Sequence, residues 1–124
     1  MSEALAYVAA GIVLLWGISH IIPTREVVAG FGDISTDNRH IITMEWVAEG
    51  LSFIFVAGLV AVVTLSSVVM EPAKDLVYRV IPAFLLTIGV WTAMTGARTN
   101  VIWFKMCPVV MVISSALLLA ASLT

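Results

Sequence analysis

Four stretches of this chain, at about residues 4–22, 41–70, 76–96 and 106–124, are long, apolar and nearly free of charge. A bilayer core about 30 Å thick is crossed by about 20 apolar residues in helical form. Lipid offers no hydrogen bonds to the backbone, so such runs satisfy their own amides as helices. The first run holds no charged residue, the second only Glu45 and Glu49, the third Arg79 near its start, and the fourth none. Charged residues make up 11% of the chain, against about 25% in soluble domains. That scarcity excludes a disordered chain, a basic nucleic-acid binder and an ordinary soluble enzyme. A net charge of −2 points to no charged partner. The expected partner is the lipid bilayer, with no nucleic acid.

The spans are bounded by breakers and polar clusters. Pro23 lacks an amide hydrogen and closes the first. The run Glu71-Pro72-Ala73-Lys74-Asp75 separates the second from the third, and residues 97–105 separate the third from the fourth. The first run is not expected to be a secretory signal, because Glu3 precedes it and its apolar length suits a span. Short connections favour antiparallel neighbours. The expected fold is therefore all-α: an integral membrane, up-down-up-down four-helix bundle, one domain over residues 1–124. Alanines four apart (Ala6/Ala10, Ala57/Ala61, Ala93/Ala97, Ala116/Ala120) would let helices approach closely.

The longest connection, residues 23–40, places Val27, Phe31 and Ile34 on one helical face, interrupted by Gly30 and Gly32. This predicts a short interfacial or re-entrant segment between helices 1 and 2. Asp33 or Asp37 can cap the next helix. From Asn38 to Val69 that helix would measure about 48 Å at about 1.5 Å per residue, longer than the bilayer core. Pro82 near the start of the third span costs little or makes a kink. Basic residues number four in connections one and three (Arg25, Arg39, Arg98, Lys105) against two on the other side (Lys74, Arg79). This places those two connections in the cytoplasm.

Alternating spans gather most polar residues at one end. Glu45 and Glu49 are i and i+4 and project the same way. A carboxylate at that depth must be paired, protonated or facing a wet cavity. Two like charges so close also resist ionising together, which suits proton exchange. The plainer alternative places both among headgroups, paired with Arg39 or Arg98. His20, one turn inside the end of the first span, can exchange protons, or can simply bond to Glu45 or Glu49. Trp91, Thr95 and Arg98 share a face at i, i+4 and i+7, and the arginine can hold an anionic head or neutralise the glutamates. Anchoring at a helix end is its plainer role. His40 reads as a solvated residue, and Trp46 and the run Asn100–Lys105 as interfacial aromatic anchors. Cys107 is alone, so it forms no internal disulfide, and reads as packing. Neither Glu-x-x-His nor His-x-x-x-His occurs, so no metal site is expected, and no cofactor is indicated.

Gly17-Ile18-Ser19-His20 closing the first span, then Phe31-Gly32-Asp33, then Glu45-Trp46 and Glu49-Gly50 opening the second, resemble the small four-helix DoxX-like membrane proteins. The resemblance implies the fold, and some members of that group are associated with quinone-linked redox complexes. It carries over no functional residue. The size is also similar to that of small multidrug exporters. Their membrane glutamate lies in the first span, however, which here has no acidic residue within it.

The leading expectation is a polar cup lined by His20, Glu45, Glu49, Arg98, Trp91 and Thr95. The protein would bind a small amphiphile, lipid or quinone there, or act as an accessory subunit. A homo-oligomer or a membrane-complex partner is compatible with this. The alternatives are an embedded enzyme using Glu45, Glu49 and His20 as acid and base, a proton-coupled transporter, and a structural bundle without ligand.

Overall fold

The computed structural model describes residues 2–124, and every element among them is helical. Four long helices are apolar and long enough to cross a membrane: α1 (Glu3–Ile21), α3 (Thr36–Leu65), α4 (Glu71–Met94) and α5 (Ile102–Leu123). A six-residue helix, α2 (Thr24–Ala29), fills part of the first connection, and a 3₁₀ turn (Gly96–Arg98) follows α4.

Several boundaries differ from the sequence expectation. The cap of α3 is Ser35, whose hydroxyl accepts the Asn38 amide at 3.1 Å, and neither Asp33 nor Asp37. A hydroxyl and a carboxylate both suit this position, and only backbone geometry chooses between them. The segment Glu71–Asp75 is the first turn of α4 and not a connection. Pro72 stands there at a position where the missing amide hydrogen costs no helical bond. Likewise α5 begins at Ile102, so Trp103 and Lys105 are helical. In α2 the buried residue is Val28, while Phe31 is 55% exposed beyond the helix end. The expected Val27–Phe31–Ile34 face does not form, because Gly30 and Gly32 end the helix first.

Packing is uneven. α1 lies against α3 and α5, α5 lies against α4, and α3 and α4 touch only sparingly. The α1–α3 contact is closest at Gly17 and Gly50. A Cβ at Gly17 would lie 2.9 Å from the Gly50 carbonyl oxygen, and one at Gly50 would lie 2.5 Å from Ile21 Cγ1. Hydrogen at both positions is what lets the backbones meet, as small residues do in lipid. Ala6, Ala10 and Ala57 are buried in this core. Ala93 and Ala116 are exposed, so the alanine pairs of α4 and α5 do not set their contacts. There Gly89 meets Met111 instead.

One end of the molecule is tied by polar contacts. Lys74 Nζ reaches Glu3 Oε1 at 3.2 Å and Glu71 Oε1 at 3.5 Å. The Ser2 amide donates to the Ala121 carbonyl. Thr64 Oγ1 and Tyr78 Oη, both buried, are 2.6 Å apart and join α3 to α4 beside their connection. Beyond that bond a groove separates α3 from α4.

Candidate functional site

Glu45, Glu49, Ser52 and Phe53 fall at i, i+4, i+7 and i+8 of α3, so they share one side of that helix. All four line the groove, facing Phe84 and Ile88 of α4. This part is an open groove of about 500 Å³. It continues toward the Thr64–Tyr78 end as a second hollow of about 460 Å³ walled by Leu51, Phe55, Val56 and Ile81, with Ser52 and Phe84 common to both. The groove is thus polar at the Glu45 end and apolar beyond it.

Depth follows from helix geometry. Counting back from Leu65, a 30 Å core takes about 20 residues at about 1.5 Å each. If that core ends at Leu65, the count reaches Glu45, which would put Glu45 at the boundary and Glu49 one turn inside. Glu45 is exposed and Glu49 half-buried.

His20 stands behind Glu49. Its side chain is 10% exposed, and Nε2 lies 3.5 Å from Glu49 Oε2. That separation is too long for a hydrogen bond, and Nε2 has no hydrogen-bond partner. Two aromatic rings hold the imidazole in place. Trp46 stacks on it at 3.9 Å and 16°, and Phe53 meets it edge-on at 6.1 Å. Trp46 also donates its indole Nε1–H to the His20 carbonyl at 2.7 Å. That carbonyl lies in the last turn of α1, where helical partners run out. Phe104 of α5 packs against the other part of the Trp46 ring at 5.6 Å. Trp46 therefore anchors α1, α3 and α5 together, a larger role than the interfacial anchor expected of it.

The remaining expected residues are elsewhere. Trp91 is 65% exposed, Thr95 and Arg98 are exposed, and none of the three lines the groove. Thr95 Oγ1 donates to the Trp91 carbonyl of its own helix. Arg98 forms no ion pair with Glu45 or Glu49; among the described residues no lysine or arginine nitrogen lies within 4 Å of either carboxylate. The expected helical face of Trp91, Thr95 and Arg98 is not continuous: α4 ends at Met94, Thr95 caps it outside helical geometry, and Arg98 lies in the 3₁₀ turn that follows, all three exposed. Of the six residues expected to form the cup, Glu45 and Glu49 line the groove and His20 stands behind Glu49, joined by residues that sequence reasoning passed over. Of these, Ser52 and Phe53 carry a signal in their helical spacing from Glu45, whereas Phe84 and Ile88 carry none.

Behind the site, Cys107 is buried beside the side chains of Thr92 and Trp16. Trp16 Nε1 has no hydrogen-bond partner. No three His, Cys, Asp or Glu side chains among the described residues are grouped to hold a metal ion. Comparison with family models, curated proteins and solved structures returns no match for this chain.

Proposed function

We propose that this chain is a multi-pass membrane protein that binds a small amphiphile in the open seam between α3 and α4. The observation that carries this reading is the groove itself. It runs lengthwise between two helices, polar at one end (Glu45, Glu49) and apolar at the other (Phe55, Ile81). In this reading the four long helices alternate up-down-up-down, with three tight seams and one open. The ties of α1 to α3 at His20 and Trp46, and of α1 to α4 at Lys74, support that alternation. The connections after α1 and α4 face the cytoplasm, as the four-to-two excess of basic residues suggests. A DoxX-like relationship accords with this architecture and belongs to the same proposal.

The energetics favour recognition through the head. A hydrocarbon tail leaving lipid for a groove of phenylalanine and isoleucine gains little, because the bilayer is as apolar as the groove. The carboxylates and Ser52 therefore decide what binds. Arg98 lies outside the groove, so an anionic head finds no cation there and meets two carboxylates instead.

Native mass spectrometry of the purified protein released from micelles tests the reading. Wild type is expected to retain a bound amphiphile, and Ser52→Phe, which fills the groove where its two parts meet, is expected to lose it. Equal retention by both would overturn the proposal. A second reading, acid–base catalysis on a lipid-soluble substrate, is favoured by the His20–Glu49 approach of 3.5 Å, with Glu49 on the groove and His20 behind it.

A further inference from the structure

Resting on the groove reading, we infer that the head group it selects is a protonated amine carried on an alkyl chain. Charge balance comes first. Glu45 and Glu49 face the groove with no lysine or arginine within 4 Å among the described residues. Carboxylates at the edge of lipid without a cation are costly, and a bound ammonium supplies the missing charge. Hydrogen-bond capacity comes second. His20, nine-tenths buried behind Glu49, leaves that carboxylate unbonded: its Nε2 lies 3.5 Å from Glu49 Oε2 and has no hydrogen-bond partner. Both groove carboxylates accept hydrogen bonds, and so does the Ser52 oxygen. An –NH₃⁺ group offers three donors, enough for Glu49 and Glu45 with one left for Ser52 or water. Aromatic surface comes third. Trp46, Phe53 and Phe84 wall the groove beside the glutamates, and ring faces attract cations more strongly once water is removed. An uncharged alcohol satisfies only part of this set. A carboxylate head is repelled by it, and a quaternary ammonium keeps the charge but brings no N–H donor.

The test uses the whole protein in zwitterionic micelles and four probes of equal chain length: dodecylamine, dodecyltrimethylammonium, dodecanol and dodecanoate. Affinities are read by titration calorimetry. Dodecylamine is expected to bind about tenfold more tightly than dodecanol, equivalent to about 1.4 kcal/mol, and dodecanoate more weakly than either. Glu49→Gln should bring dodecylamine down to the level of dodecanol. The wild-type probe series decides the point even if a variant fails to fold. Dodecanol binding as tightly as dodecylamine, with both abolished by Ser52→Phe, would overturn the amine inference and leave the groove reading intact. Binding of all four probes unchanged by Ser52→Phe would overturn both.

Discussion

The tightest contact in the molecule gives the sharpest prediction. Gly17→Ala adds one methyl carbon at a point where it would lie 2.9 Å from the Gly50 carbonyl oxygen and 3.0 Å from both Phe53 Cβ and Ile54 Cγ1. Carbon contacts are comfortable at about 3.5–4.0 Å, so α1 must retreat by about half an ångström. The oxygen and Phe53 Cβ move only with their helix, and rotamer changes cannot relieve them. Overpacking of this kind costs about 1–3 kcal/mol. Alanine's better helix propensity returns up to about 1 kcal/mol, so the net loss alone is a weak test. Gly11→Ala supplies the control, since it gains the same propensity and its added carbon meets nothing within 4 Å. The difference between the two variants isolates the packing cost and is expected to be about 1–3 kcal/mol. Titration with dodecyl sulfate in mixed micelles, followed by circular dichroism, measures it. Because His20 lies one turn beyond Gly17, the same variant should also weaken the Trp46 contact and change the tryptophan emission. Equal stability of the two variants would refute the claim that α1 and α3 meet backbone to backbone.

Tyr78→Phe removes the buried partner of Thr64, whose hydroxyl still donates to the Val60 carbonyl. The expected loss is about 0.6 kcal/mol, the average for such bonds in a membrane protein, read from the same titration. Trp46→Phe retains an aromatic ring against His20 but deletes the bond to its carbonyl. A loss of about 0.5–1.5 kcal/mol is expected, with faster amide exchange at the end of α1 as the second readout. Cys107 is 6% exposed, so a maleimide should label it slowly in folded protein and readily after dodecyl sulfate unfolding.

How much of this was legible beforehand can be argued residue by residue. The four long apolar helices follow from hydropathy, because each run is long, apolar and nearly free of charge. Their ends were less legible. Glu71, Lys74 and Asp75 look like a connection by polarity, yet Lys74 extends along α4 to carboxylates on two helices and so tolerates a helical position. The juxtaposition of His20 with Glu49 was expected, since alternating spans would put both at one end. The Gly17–Gly50 contact was not, because two glycines far apart in sequence reveal their partnership only once the helices are docked. Arg98 shows the same limit from the other side. Helical spacing carries a face only as far as the helix runs, and α4 stops at Met94, so Arg98 falls in the 3₁₀ turn beyond it and outside the groove. The open seam itself has no sequence signal at all, being a place where two apolar helices fail to close.

The central claim is that an amphiphile lies between α3 and α4. A dodecylamine bearing a diazirine in its chain, irradiated with the protein in bilayer nanodiscs and mapped by peptide mass spectrometry, tests it most directly. The account predicts adducts concentrated at Ser52, Phe55, Ile81 and Phe84, and suppressed by excess unlabelled dodecylamine. Adducts spread evenly over the outward faces of α1 and α5, at Leu15 and Val112 for example, and indifferent to the competitor, would contradict it.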